Sequence, residues 1–196
     1  MLRDFRAADV LTLLNGVAGM GAVLALLRFC SDGEATAFWV GAALLPVALA
    51  FDVLDGRVAR LRNEASALGR ELDSLADIVS FGVAPAVMGF AVGLRGGWDM
   101  VCLLAFVACG ISRLARYNVT AERLSGTGGK VKYFEGFPIP SSLLLALVLV
   151  ICFASGVSPA DIGKVSMGPA DLHLLALLFP LHGAAMISKT LRVPKP

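Results

Sequence analysis

An all-α integral membrane protein is the fold class this sequence predicts, and three observations predict it. Apolar residues make up 57% of the 196-residue chain and charged residues 16%, with a mean hydropathy of +0.78. A soluble domain carries about 45–50% and about 25% respectively. The apolar excess is gathered into six blocks long enough to cross a bilayer core, which takes about 20 helical residues. The basic residues are sorted strongly between the loops that join these blocks. No alternating barrel pattern appears, so helices, which satisfy their own backbone hydrogen bonds in lipid, are the expected spanning element. One membrane domain over residues 1–196 is expected. A net charge of only +2 makes no case for a nucleic-acid partner.

The first block covers roughly residues 10–29. Asp4 and Asp9 accompany Arg3 and Arg6 ahead of it, and Arg28-Phe29-Cys30-Ser31-Asp32 behind it offers no small-x-small cleavage site. It therefore reads as a retained first helix rather than a signal peptide. Gly16, Gly19 and Gly21 permit close helix packing. Asn15 is a polar residue in this setting, and a buried amide needs a partner.

The second block, roughly 37–61, is apolar only from Phe38 to Phe51 before Asp52. Its last turns are expected to project past the membrane core, with Asp52 and Asp55 near the interface. The third block runs over roughly 71–94 and the fourth over roughly 98–117. A polar loop follows, flexible at Ser125-Gly126-Thr127-Gly128-Gly129 and stiffened at Phe137-Pro138-Ile139-Pro140. The fifth and sixth blocks cover roughly 138–156 and 171–188, and Pro180 is expected to kink the sixth. His173 and His182, in or beside the sixth, read as interface polarity and a satisfied bundle contact. Cys30, Cys102, Cys109 and Cys152 are scattered through apolar runs and read as small buried hydrophobes.

Loop charges set the orientation. Fourteen of the 17 basic residues lie in the N-terminal segment, the loop between blocks two and three, the loop between blocks four and five, and the C-terminal tail. The positive-inside rule then predicts six transmembrane helices with both termini in the cytoplasm. Trp39 and Trp98 both fall at the opposite interface.

The chemistry is concentrated between Asp52 and Asp77. Residues three and four apart share a helix face. Asp52, Asp55, Gly56, Ala59 and Arg60 form one such stripe, and Gly69, Asp73, Asp77 and Ser80 form another on the next helix. An antiparallel hairpin turns the two stripes toward each other, so four carboxylates share one space. Four anions in a low-dielectric pocket repel strongly and call for protons or cations. Hard oxygen ligands at this density suit Mg²⁺, Mn²⁺ or Ca²⁺. Small residues on both faces leave room for a ligand, and Arg60 can hold a phosphate. Carboxylates, divalent metal and arginine together point to phosphoryl transfer.

The spacing Asp-x2-Asp-Gly-x2-Ala-Arg-x8-Gly-x3-Asp-x3-Asp over residues 52–77 resembles the signature of the CDP-alcohol phosphotransferase family at every position. The resemblance implies two metal ions, Mg²⁺ or Mn²⁺. Asp52 and Asp73 would bridge them, Asp55 would complete the first, and Asp77 would complete the second. Asp77 would also be the base that takes the acceptor's proton. Gly56, Arg60 and Ser66 would hold the CDP moiety, beside the small residues Ala59 and Gly69, and Asn15 would lie on the nucleotide side. The flanks Leu72–Ala86, Ser112–Asn118 and Phe134–Pro140 resemble the bacterial phosphatidylserine synthase branch. That resemblance implies CDP-diacylglycerol and L-serine as substrates, CMP release, and a homodimer in the inner (cytoplasmic) membrane with its site facing the cytoplasm. Arg113 and Arg116, with Lys132 and Glu135, are candidates for binding serine. Glycerol 3-phosphate or inositol phosphate as acceptor remains an alternative, and a small cation transporter is a distant one.

Overall fold

The computed structural model describes residues 6–62, 66–125, 133–167, 170–188, 190 and 192–194, with backbone only at 121–125, 133–135, 167 and 192–194. It is mostly helical and divides into two compact units, residues 1–84 and 85–196. Among the described residues, four helical spans are long and apolar enough to cross a membrane: Ala7–Asp32, Ala35–Arg62, Ala67–Ala91 and Gly97–Thr120. Two shorter apolar helical segments, Ile139–Ala154 and Leu174–Ile187, correspond to the fifth and sixth blocks. The chain is a multi-pass membrane protein.

The first unit is built on α1 (Ala7–Asp32), α2 (Ala35–Arg62) and α3 (Ala67–Asp77). Their burial is inverted relative to a soluble bundle. The packed face of α1 carries Ala8, Thr12, Asn15, Gly19, Ala22 and Leu26 at alternating steps of four and three, with Asp9 beside them. Its outer face carries Leu13, Val17, Leu24 and Leu27, and Val17 is 66% exposed. Small and polar groups inside with large apolar groups outside is the pattern a lipid-facing exterior imposes. On α2 the packed seam runs Phe38, Gly41, Leu45 and Ala48, then continues in the same register into Asp52 and Asp55.

After Asp77 the third span changes type. Residues Ile78–Val83 are π-helical, and the Ala84 N–H reaches back to the Val79 carbonyl. The sequence pattern reads as one unbroken helix here, so this is a departure from expectation. The π segment sits against α1, where Ser80 Oγ donates to the Asn15 carbonyl at 3.0 Å. Gly19 makes that approach possible. A Cβ on Gly19 would lie 2.6 Å from Ser80 Cα, a separation that real Cβ atoms do not show.

The second unit holds α4 (Ala84–Ala91, entered from the first unit), α5 (Gly97–Ser125), α6 (Leu143–Ala154) and α7 (Leu178–Ile187). Among the described residues, four short strands pair as antiparallel ribbons, β1 (Tyr133–Glu135) with β4 (Arg192–Pro194) and β2 (Lys164–Met167) with β3 (Ala170–His173). These strands were not expected. The sixth apolar block begins as β3, and its helix starts only after His173, because Asp99 holds that residue in extended backbone. Asp99 is fully buried at the start of α5 and accepts the backbone N–H of Gly96 at 2.8 Å and of His173 at 2.7 Å. Its carboxylate also meets His173 Nδ1 at 2.5 Å. His173 is therefore paired with a carboxylate 74 residues away, a correction to its reading as simple interface polarity. In the β2–β3 hairpin, hydrogen bonds from the Lys164 ammonium and the Ser166 hydroxyl hold the exposed Asp171 carboxyl below its ordinary range. The four cysteines are half-buried rather than core residues.

Candidate active site

The site lies within the first unit. Helical spacing carries Asp52 and Asp55 on α2 and Asp73 on α3 to one place, as the stripes predict. One carboxylate oxygen from each lies within 4.8 Å of the others. Asp55 is buried, while Asp52 and Asp73 are half-buried. Asp77, one turn further along α3 than Asp73, is buried as well.

The local sequence explains how the groups are held. Ser66 caps α3, its hydroxyl accepting the Gly69 N–H at 2.8 Å, which fixes the helix start about three turns before Asp77. Gly69 is glycine because α1 crosses here, and a Cβ would come within 2.9 Å of Asp9 Oδ1. Gly56 is different, since an added Cβ would meet only Arg60 Nη1 at 3.8 Å. The space over Gly56 is open on the cavity side.

A cavity of about 150 Å³ opens beside the carboxylates, lined by Asp55, Gly56, Ala59, Ser66, Gly69 and Asp73 together with Ala8, Asp9, Thr12 and Arg70. Six of these belong to the predicted stripes or turn. Arg70, rather than Arg60, is the arginine among the lining residues, and Arg60 is exposed with its head near Gly56. Asn15 does not line the cavity. It is fully buried, and its Nδ2 donates to Asp77 Oδ1 at 3.2 Å. Its amide thus faces a carboxylate rather than the cavity.

Two residues of the site escaped the sequence reading. Asp9 is buried in the cavity wall and accepts the Arg6 N–H at 2.9 Å at the start of α1, where an acid suits the helix dipole. Thr12 is buried, and its hydroxyl reaches Asp55 Oδ2 at 2.7 Å. The signal was present: Asp9, Thr12 and Asn15 step by three along one face of α1, and three polar residues on one face of a membrane helix are costly unless partnered.

The donor set fits a divalent cation. The ligand atoms are hard carboxylate oxygens, and Asp73 Oδ1 is buried with no hydrogen-bond partner among the described residues. A buried acceptor is rarely left without a partner.

The residues considered for serine lie in the second unit. Arg113 is buried on α5. Arg116 donates through Nη1 to the Ile187 carbonyl at 2.9 Å, capping the C-terminal end of α7. This bond gives Arg116 a structural role that its spacing did not reveal. Lys132 lies outside the described residues. Glu135 is described in its backbone alone, paired with Arg192.

Residues 5–182 match the sequence profile of the CDP-alcohol phosphatidyltransferase family. Over 202 aligned residues the chain is 44% identical to a CDP-diacylglycerol–serine O-phosphatidyltransferase of Saccharomyces cerevisiae, covering all of this chain and 73% of that protein. Proteins of the same name from Mycobacterium leprae and Methanocaldococcus jannaschii are each 36% identical, over 74% and 70% of this chain. The chain spans 48% and 57% of those two relatives' lengths.

Proposed function

The chain belongs to the CDP-alcohol phosphatidyltransferase family, and from that premise we propose that it transfers a phosphatidyl group from CDP-diacylglycerol to L-serine, giving phosphatidylserine and CMP. The observation that carries this reading is the convergence of Asp52, Asp55 and Asp73 beside a cavity walled by Gly56, Ser66, Gly69 and Arg70. Serine is chosen as acceptor because relatives from a yeast, a bacterium and an archaeon carry the serine-transferase name.

Each residue has a defined task in this reading. Gly56, Ala59, Ser66 and Gly69 leave the room in which the CDP moiety sits, with Arg70 on the wall and Arg60 at the rim holding phosphate oxygens. Asp52, Asp55, Asp73 and Asp77 hold two divalent ions, Mg²⁺ or Mn²⁺, which when bound neutralise charge on the diphosphate and on departing CMP. Asp77 takes the proton from the serine hydroxyl as its oxygen attacks the lipid-bearing phosphorus. The new P–O bond forms as the bond to the CMP oxygen breaks. Arg113 and Lys132 are assigned to the serine carboxylate and Glu135 to its ammonium. Arg116, engaged at α7, plays at most a supporting part there.

The loop charges support six spans with both termini cytoplasmic and the site at the cytoplasmic face of the inner membrane. The family resemblance supports a homodimer and one membrane domain across residues 1–196.

The test is acceptor-dependent CMP release by purified protein with CDP-diacylglycerol and Mn²⁺ or Mg²⁺. Release with serine is expected. Release with glycerol 3-phosphate or inositol phosphate but not serine would overturn the choice of acceptor.

A further inference from the structure

Three carboxylate oxygens within 4.8 Å of one another repel, and free aspartate side chains would rotate apart. Something must hold them turned inward, and α1 carries groups placed to do so. Thr12 and Asn15 lie on one face of that helix, and each approaches a carboxylate on a different neighbour. Thr12 Oγ1 is 2.7 Å from Asp55 Oδ2 on α2 and 3.1 Å from the Ala8 carbonyl. The hydroxyl has one proton and two acceptors. The shorter, charge-assisted contact to the carboxylate is the stronger claimant. Asn15 Nδ2 is 3.2 Å from Asp77 Oδ1 on α3. An ionised carboxylate only accepts, so Asn15 must present its NH₂ group there. The main chain of Asn15 is itself pinned by Ser80. Both side chains are buried, Thr12 at 3% and Asn15 at 0% exposure.

We propose that Thr12 and Asn15 are positioning residues, Thr12 orienting Asp55 toward Asp52 and Asp73, and Asn15 orienting Asp77. The proposal rests on the transferase reading for what the carboxylates do, but its test does not depend on turnover. Hydrogen bonds to metal-binding side chains typically change metal affinity or activity about 10–100-fold.

The experiment measures Mn²⁺ binding to the full-length purified protein, without substrate, by electron paramagnetic resonance. Thr12→Val is expected to weaken binding about 10-fold, and Thr12→Ser to restore it to within about two-fold of wild type. Combined with Asp55→Asn, Thr12→Val is expected to add less than about two-fold, because Thr12 acts through Asp55. Thr12→Ala replaces the valine variant if that variant does not fold. In steady-state assays Asn15→Leu is expected to lower kcat about 10-fold or more while the KM for CDP-diacylglycerol stays within about two-fold. Equal Mn²⁺ affinity in wild type and Thr12→Val, no Mn²⁺ binding by either, or a serine variant as weak as the valine one would each overturn the role of Thr12. A raised KM for CDP-diacylglycerol with kcat retained in Asn15→Leu would return Asn15 to the nucleotide. If wild type releases no CMP with any acceptor, the transferase reading fails, while the Mn²⁺ measurements still judge Thr12.

Discussion

Asp77 is buried, with Asn15 donating to one of its oxygens. If it is the base, Asp77→Asn removes proton acceptance while keeping size and hydrogen-bonding capacity. Turnover is expected to fall by about 10²–10⁴-fold, the usual range for a general base, with metal-dependent CDP-diacylglycerol binding largely spared. CMP release and equilibrium binding of the lipid nucleotide, measured side by side, check this. The two arginines of α5 separate in the same way. Arg113→Ala is expected to raise the KM for serine at least several-fold without changing that for CDP-diacylglycerol. Arg116→Ala is expected to lower the melting temperature by a few degrees, since the lost cap is worth about 1 kcal/mol, and to leave the serine KM near wild type. At this scale the aspartates were legible because three- and four-residue spacing on a helix reports which residues share a face. The partners of Arg116 and His173 were not legible, being 71 and 74 residues away. Thr12 and Asp9 were missed because a polar stripe declares its purpose only when the helix opposite is known.

Among the elements, the helices that carry the site were the most readable. The second was expected at roughly 37–61 and is found at Ala35–Arg62, with Asp52 and Asp55 continuing its packed seam. The third departs from expectation in becoming π-helical after Asp77. Apolar periodicity fits α and π turns about equally over six residues, so the sequence does not announce the change. The π turn brings Ser80 to Asn15, and Gly19 is the residue that admits it. Gly19→Val is therefore expected to destabilise the first unit by about 1–3 kcal/mol, the usual cost of overpacking. Thermal unfolding in detergent measures it, and loss of Mn²⁺ binding is expected to accompany the loss of stability. The last apolar block shows the converse failure. Leu172 to Leu178 reads as helix by composition, yet Asp99 draws His173 into a strand. A tertiary hydrogen bond outweighed a local preference that is worth less than about 1 kcal/mol per residue.

For the whole molecule, composition and charge alone were enough to read a helical membrane protein, because the bilayer leaves few alternatives to a chain with these apolar blocks. Orientation rests on the sorting of 17 basic residues. It is testable in a variant lacking the four native cysteines. With a membrane-impermeant maleimide, Arg62→Cys is expected to label only from the cytoplasmic side and Val165→Cys only from the other. Labelling of both from one side would contradict the arrangement. The family reaction was readable from a fixed-gap motif, whereas the acceptor was readable only from the resemblance of the flanking segments, since the 52–77 signature is the same whichever alcohol is attacked. The most direct test of the central claim follows labelled serine and CMP together in purified protein supplied with CDP-diacylglycerol and Mn²⁺. The account predicts one serine entering lipid for each CMP released, with both lost in Asp77→Asn. CMP release without serine in lipid, or accumulation of metal inside proteoliposomes without any CMP, would contradict it.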